Sequence, residues 1–509
     1  MDSATSDARI PLHVTAENGL KIVVVGGFGA GKTTLIRSVS EIRPLNTEET
    51  MTRAGEHVDD ISEVREKKAT TVAFDFGRIT LDARNVLYLF GAPGQERFWF
   101  LWDRLFSGTL GGPRFQTEPA QLYREMRREH GAVTPVVLDG GVPAWLVLGY
   151  RELHQVTGDP VLFSRDSDLW NQWDRIPDDW PLLPMIGRRQ PSILYTVGER
   201  HRERAAMISG ALEAVSPFEL RGYAERFADE LVDAFSTRGE ADVVADYAML
   251  LPVRVLARLF GFPDEQGPGL VTALNDMIDG RERAIAGQTH LATSMAQLLT
   301  ERRAAPADDV VSRMLADPGG FSEEEIAQDL MVMMAAGHQP TADWIGNSLR
   351  LMLTDDRFAA SLFGGRNSVA DAMNEVLWED TPTQNVAGRW AARDTQLGGR
   401  RIRAGDLLLL GLQGANSDPQ VRTDGSALTG GNSAHFSFGH GEHRCPFPAQ
   451  EVAEVIARTA IEVVLDRLPD IDLAVPAGSL TRRPSPWLRG LTELPVRFAP
   501  TPALGGTPV

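Results

Sequence analysis

The hydrophobic pattern of the chain changes rhythm near residue 112. Before it the signal is β-rich. Leu20 to Val25 is a continuous apolar strand that runs into a glycine-rich turn, and Thr34 to Ser40 opens a helix. Thr70 to Leu81 and Asn85 to Phe90 are strand-like runs separated by a short polar turn, as in a hairpin. From Gln121 onward helical spacing dominates. Glu323 to Thr354 reads as one very long helix carrying the apolar run Leu330–Met334, and Ala449 to Asp466 as another. Asp394 to Leu410 reads as strands with glycine turns, and Thr501 to Val509 as a frayed tail. The change falls at Ser107–Pro113, which holds three glycines and a proline, so residues 1–112 and 113–509 are expected to be separate domains.

A chain of 509 residues is too long for one ordinary domain, which agrees with that division. The 43% hydrophobic and 24% charged content is that of a globular protein, and no apolar run is long enough to span a bilayer. Met1 to Glu17 is polar with no apolar signal core, so the expected location is the cytoplasm, with attachment to a membrane only through a partner. A net charge of −18 argues against nucleic acid as a partner. The single cysteine, Cys445, forms no internal disulfide and builds no zinc or iron–sulfur site alone.

Gly26-Gly27-Phe28-Gly29-Ala30-Gly31-Lys32-Thr33 is a full phosphate-binding loop between a strand and a helix. Its glycines, Gly26 and Gly31 among them, turn backbone N–H groups toward phosphate; Lys32 reaches the terminal phosphates and Thr33 holds Mg²⁺. Phe90-Gly91-Ala92-Pro93-Gly94-Gln95-Glu96-Arg97-Phe98 then resembles the second switch of small GTPases. The Gly94 N–H would sense the terminal phosphate, Gln95 would orient water, and Thr70 or Thr71 is the candidate first-switch threonine. With Trp99-Phe100-Leu101-Trp102, the set resembles the small GTPases of actinobacterial conservon operons, although Gly91 stands where most carry a Mg²⁺-linked Asp. No guanine-reading Asn/Thr-Lys-x-Asp motif follows. The expectation is an α/β P-loop half-domain, similar to a truncated GTPase, for which the resemblance implies GTP and Mg²⁺ with weak or absent guanine specificity, or a vestigial domain.

The strongest signal is Phe436-Ser437-Phe438-Gly439-His440-Gly441-Glu442-His443-Arg444-Cys445. It resembles the proximal loop of the cytochromes P-450, Phe-Gly-x-Gly-x-His-x-Cys, at every specified position. A thiolate pushes electron density onto haem iron and favours O–O cleavage, and Gly439 and Gly441 suit the tight turn that presents it. The resemblance implies a mainly α cytochrome P-450 fold with minor β and haem b (iron protoporphyrin IX) bound through Cys445, with Phe438 beside the sulfur. It also implies that His435, Arg389 and His201 meet haem propionates. The family's Arg four residues after His201 is here Ala205, with Arg202 or Arg204 as substitutes, and Phe447 stands where a Gly usually follows the ligand.

Two departures concern function. Ala336-Gly337-His338-Gln339-Pro340-Thr341 aligns with Ala-Gly-x-(Asp/Glu)-Thr, so the acid has become Gln339 and the alcohol Pro340. Gly337 and Thr341 are the residues expected at the oxygen site. In Glu375-Val376-Leu377-Trp378, Trp378 replaces the Arg of Glu-x-x-Arg, and no second Arg appears at Thr429-Gly430-Gly431. A lone Glu375 must then be protonated, solvated or paired with an Arg from elsewhere. The joint loss resembles the conservon-associated subgroup. The leading expectation is a monooxygenase acting on a small apolar substrate and fed by a ferredoxin and ferredoxin reductase, since the chain has no flavin or ferredoxin motif of its own. Two other readings stand beside it: a haem-containing regulatory subunit reporting to conservon-type signalling proteins, and a nucleotide-gated switch.

Overall fold

A computed structural model describes residues 18–24, 32–41, 48–50, 69–71, 75–80 and 85–91 of the N-terminal part. Beyond that it describes 118–138, 141–176, 180, 182–186, 191–279, 284–355, 368–422 and 432–505, with Phe115 and Phe358. The chain divides into two compact units, Met1–Thr109 and Leu110–Val509.

In the first unit β1 (Asn18–Val24) precedes α1 (Lys32–Val39), and β2 (Asp75–Thr80) turns back antiparallel onto β3 (Asn85–Gly91). β3 also pairs parallel with β1, from Asn18 opposite Asn85, giving the order β1-β3-β2. The expected strand, helix and hairpin are therefore present. The strand-to-helix context of the phosphate loop is in place, while Gly26, Gly31, Gly94 and Gln95, and the side chains of Lys32 and Thr33, lie outside the described residues. Thr70 and Thr71 fall on a short strand, Ala69–Thr71, paired with Glu48–Thr50.

The second unit opens with α2 (Pro119–His130), then a hairpin that helical spacing had not suggested, β4 (Val133–Leu138) and β5 (Val142–Val147). Both strands are almost wholly buried, so they show a nearly unbroken apolar run rather than alternation. After α3 (Tyr150–Gly158) and β6 (Phe163–Ser164) come α4 (Gly198–Glu213), α5 (Pro217–Asp233), α6 (Leu251–Phe260), α7 (Gly267–Asp279) and α8 (Ala284–Ala304). The long helix α9 spans Glu323–Thr354. Its start is fixed by a capping box in which Ser322 and Glu325 satisfy each other's backbone N–H groups, with three acidic residues in the first turn favoured by the helix dipole. Pro340 lies inside α9 without ending it.

α10 (Val369–Glu379) then leads to β7 (Val386–Ala391) and β8 (Leu407–Leu410), followed by α11 (Leu412–Asn416) and α12 (Phe447–Arg467). The five-stranded sheet runs β4-β5-β8-β7-β6, closed by residues distant in sequence. One large apolar core joins α4, α5, α6, α9 and α12. It surrounds a cavity of about 360 Å³.

Candidate functional site

The floor of that cavity is the loop before α12. Gly439 and Gly441 have φ of 75° and 74°, the left-handed region where a Cβ is penalised. At Gly441 a Cβ would stand 2.0 Å from the Thr157 carbonyl oxygen, so the loop passes directly against α3. The Cys445 N–H donates to the Phe438 carbonyl at 2.8 Å and that of Gly439 to Phe436 at 2.7 Å, closing the turn. Asn416 of α11 receives the Phe436 N–H at 2.7 Å and donates to Ser437 Oγ at 3.0 Å; Thr157 Oγ1 lies 2.9 Å from His440 Nδ1. The loop is thus tied on both sides before any ligand is considered. Burial pushes the Cys445 thiol up to about 12. Only a bound cation would make it a thiolate near neutral pH, as a coordinating metal does. Phe447 does not intrude: it is 61% exposed at the first turn of α12, while Pro446, Ala449 and Val452 of that region line the cavity.

One wall is cationic. Arg165, His201, Arg389 and His443 all line the cavity, and Glu442 is its sole acidic lining residue among those described. Arg389 is 2% exposed, donates through Nη1 to the Gly388 carbonyl at 3.1 Å, and has a buried Nε with no acceptor. Arg165 Nε and His443 Nε2 are buried and unpartnered as well. The His201 and His443 rings lie 4.0 Å apart, and His201 Nε2 is 3.3 Å from the Glu442 carbonyl oxygen. Burial, with Arg165 beside it, holds the Arg389 pKa well below its usual value; burial, then Arg389 and Arg165, depresses His443. Buried donors without acceptors are costly. A group carrying two carboxylates beside an apolar ring system satisfies them, which is what a haem edge presents.

Of the three residues expected at the propionates, His201 and Arg389 are brought together and His435 is not. His435 packs edge-on against Trp378, with ring centroids 5.8 Å apart, accepts the Ser437 N–H at 3.3 Å and does not line the cavity. His443, two residues before the cysteine, lines the cavity beside His201 instead. The signal was the loop's own conserved-type His, whose spacing puts it on the cysteine's side of the turn. Neither proposed substitute for Ala205 reaches the cavity. Arg204 is wholly committed to Asp329, at 2.7 Å, and to the carbonyls of Pro191 and Glu325; Arg202 is exposed, 3.9 Å from Glu442.

The opposite wall is α9, which lines the cavity with Met333, Ala336, Gly337, Pro340, Thr341 and Trp344, spaced as one helical stripe. A Cβ on Gly337 would be 2.9 Å from Leu256 Cδ1, so this glycine also lets α6 approach. His338 and Gln339 turn away. His338 Nε2 is 2.9 Å from the Met249 carbonyl oxygen, and Gln339 Nε2 donates to Asp343 Oδ1 at 2.8 Å while Arg483 donates to Gln339 Oε1 at 3.2 Å. Phe438 faces Trp344 edge-on, 5.8 Å between centroids.

Glu375 is paired with an Arg from elsewhere. Arg422 Nη2 donates to Glu375 Oε1 at 2.5 Å and to Glu379 Oε1 at 3.0 Å. Trp378 buries its ring and donates from Nε1 to the Asn432 carbonyl at 2.9 Å.

A lone thiol lining a helix-walled, largely apolar cavity, with Arg165 and Arg389 along one edge, is the arrangement of the haem-thiolate class. The comparisons agree. The chain is 31% identical to the cytochrome P-450-SU2 of Streptomyces griseolus over 406 residues, covering 78% of this chain and 98% of that one. It is 28% identical to the vitamin D(3) 25-hydroxylase of Pseudonocardia autotrophica, covering 78% and 97%. Its structure superposes on the bacillaene polyketide synthase cytochrome P-450 PksS of Bacillus subtilis 168 with a TM-score of 0.67 at 27% identity, over 77% of this chain and 99% of that one. Residues 24–113 match a family described as conserved hypothetical ATP binding protein. The chain belongs to the cytochrome P-450 family, as a monooxygenase whose cofactor is haem, with a P-loop segment fused at its N-terminal side. No helix among the described residues is long and apolar enough to cross a membrane.

Proposed function

We propose that Cys445 ligates the iron of haem b, that Arg389, His201 and His443 hold its propionates, and that Gly337 and Thr341 border the oxygen site. The observation that carries this reading is the lone Cys445 thiol lining a cavity in which, among the described residues, Arg165 and Arg389 face a single carboxylate, Glu442. When bound, the haem supplies reductive activation of O₂ and transfer of one oxygen atom to substrate. The chain's own part is to orient and to exclude water. Leu194, Ile208, Leu212, Leu256, Phe260 and Val332 give the cavity an apolar lining suited to a small apolar substrate. With Gln339 and His338 turned away, Thr341 is the hydroxyl-bearing residue of α9 that lines the cavity, which supports it as the group that would pass a proton there. A ferredoxin and its reductase supply electrons, because one cysteine builds no iron–sulfur centre. The protein works in the cytoplasm.

In the same reading, residues 1–112 form a separate domain that binds GTP with Mg²⁺ through Gly26, Gly31, Lys32, Thr33, Gly94 and Gln95, and conservon-type signalling proteins are its partners. The match to an ATP-binding family supports a nucleotide there. Titration of labelled GTP and ATP against wild type and Lys32→Ala tests this; equal binding by the two proteins ends it.

For the haem unit the test is the absorption spectrum of the reduced, carbonyl-bound protein beside Cys445→Ala, followed by product formation with surrogate ferredoxin and reductase. A thiolate-type band lost in the variant, with coupled turnover, is expected. An unchanged band without the thiol overturns the ligand, and a haem-loaded protein that never turns over favours the regulatory reading.

A further inference from the structure

The family pattern places a cation four residues after His201, and this chain has Ala205 there, lining the cavity with nothing charged to offer. The two arginines nearby in sequence are engaged elsewhere: Arg204 is 1% exposed and locked to Asp329, and Arg202 points to solvent. The wall is nevertheless not short of charge. Arg165 follows directly on β6, whose Phe163 and Ser164 pair with Ala391 and Trp390 of β7. Arg389 lies on that same strand, so the short pairing carries Arg165 to the side of Arg389.

Arg165 has a buried, unpartnered Nε, and its Nη2 reaches only the Ala387 carbonyl at 3.5 Å, the outer limit of a hydrogen bond. Two guanidiniums side by side in a closed apolar space repel each other and are poorly hydrated, so each depends on an anion. Among the described residues the cavity's one carboxylate, Glu442, leans toward Arg202. Two carboxylates on one ligand edge would neutralise the two guanidiniums one for one, with His201 and His443 as neutral hydrogen-bonding partners.

Building on the haem reading above, we propose that Arg165 is a cofactor-binding residue, supplying from the β6 end the propionate contact that Ala205 has vacated on α4. The charge count at the haem edge is kept, and its source moves from a helix to a sheet margin. That move leaves the face of α4 beside His201 apolar.

The test uses the full chain loaded with haem and follows transfer of haem to excess apomyoglobin. Arg165→Met is expected to speed haem loss about tenfold or more, as removal of a charge-assisted contact does. Adding Ala205→Arg to that variant is expected to recover most of the loss. The decisive arm reconstitutes both proteins with haem dimethyl ester, whose propionates carry no charge: there Arg165→Met and wild type should release the cofactor at rates within about twofold. A difference that persists with the ester means Arg165 acts only by packing, and overturns the proposal. So does an unchanged rate with ordinary haem while the thiolate-type carbonyl band is intact, an outcome that leaves the P-450 reading standing. Failure of wild type to give that band removes both. If Arg165→Met is poorly folded by circular dichroism, Arg165→Gln carries the same comparison.

Discussion

Removing Arg422 isolates what replaced the lost Glu-x-x-Arg cation. The Glu375 side chain is 2% exposed and that of Arg422 16%, whereas Glu379, the second acceptor, is 49% exposed. The outer arm is a surface pair, worth at most about 1 kcal/mol. The inner arm is different, because Arg422→Ala strands a buried carboxylate, and breaking a buried pair costs about 3–5 kcal/mol. Partial exposure of Arg422 lets water reach the vacated space, so the expected destabilisation is nearer about 2–3 kcal/mol. Glu375→Gln removes the charge and keeps the shape, and Arg422 retains Glu379; its cost should stay near about 1 kcal/mol. The double variant should then be less than additive by about 1–2 kcal/mol. The measurement is urea unfolding of the haem-loaded protein followed at the visible haem band, which reports on the C-terminal unit alone and avoids assuming one transition for the whole chain. Trp378→Arg in the Arg422→Ala background should recover part of the loss, since residues three apart on a helix face each other. Additive single effects, or a wild-type midpoint for Arg422→Ala, would falsify the view that Arg422 has taken over this role.

Three further outcomes are expected. Gly441→Ala should abolish stable haem loading while Gly439→Ala only weakens it: both have positive φ, but the added Cβ meets the Thr157 carbonyl oxygen at 2.0 Å in the first case and Arg444 Cα at 3.3 Å in the second. Equal haem retention by the two variants would contradict the loop geometry. Asp343 is pushed up to about 6 by burial, so the folded state holds its proton more tightly than the unfolded chain and loses stability as pH rises from about 4 through about 6. Asp343→Asn should therefore gain on wild type by up to about 3 kcal/mol between about pH 4 and about pH 7, and a pH-independent difference in unfolding free energy would refute this. Thr341→Ala should lower product formed per electron consumed by about tenfold or more if its hydroxyl passes protons, with haem content unchanged; unaltered coupling would exclude Thr341.

What the sequence made legible divides by the range of the interaction. The haem loop was readable because its chemistry is local: Gly439, Gly441 and Cys445 sit within one turn, and each residue type is required by a backbone angle or by the ligand bond. The long helix was readable because its helical spacing and the apolar run Leu330–Met334 lie within one segment. The partners of buried charges were not, because they are set by packing between distant segments. Arg422 lies 47 residues from Glu375, and Arg165 stands beside Arg389 only because β6 pairs with β7. Neither substitute sought next to the gap lines the cavity: Arg204, one residue and about 100° round the helix from Ala205, is held by Asp329, and Arg202, though on nearly the same face as Ala205, is exposed beside Glu442. His435 lies close to the loop in sequence but packs against Trp378 rather than lining the cavity, since proximity in the loop does not set orientation. At Glu375 the cation absent from α10 is replaced by Arg422, which the fold brings to the same carboxylate, so its loss from the motif removes a residue without removing the charge.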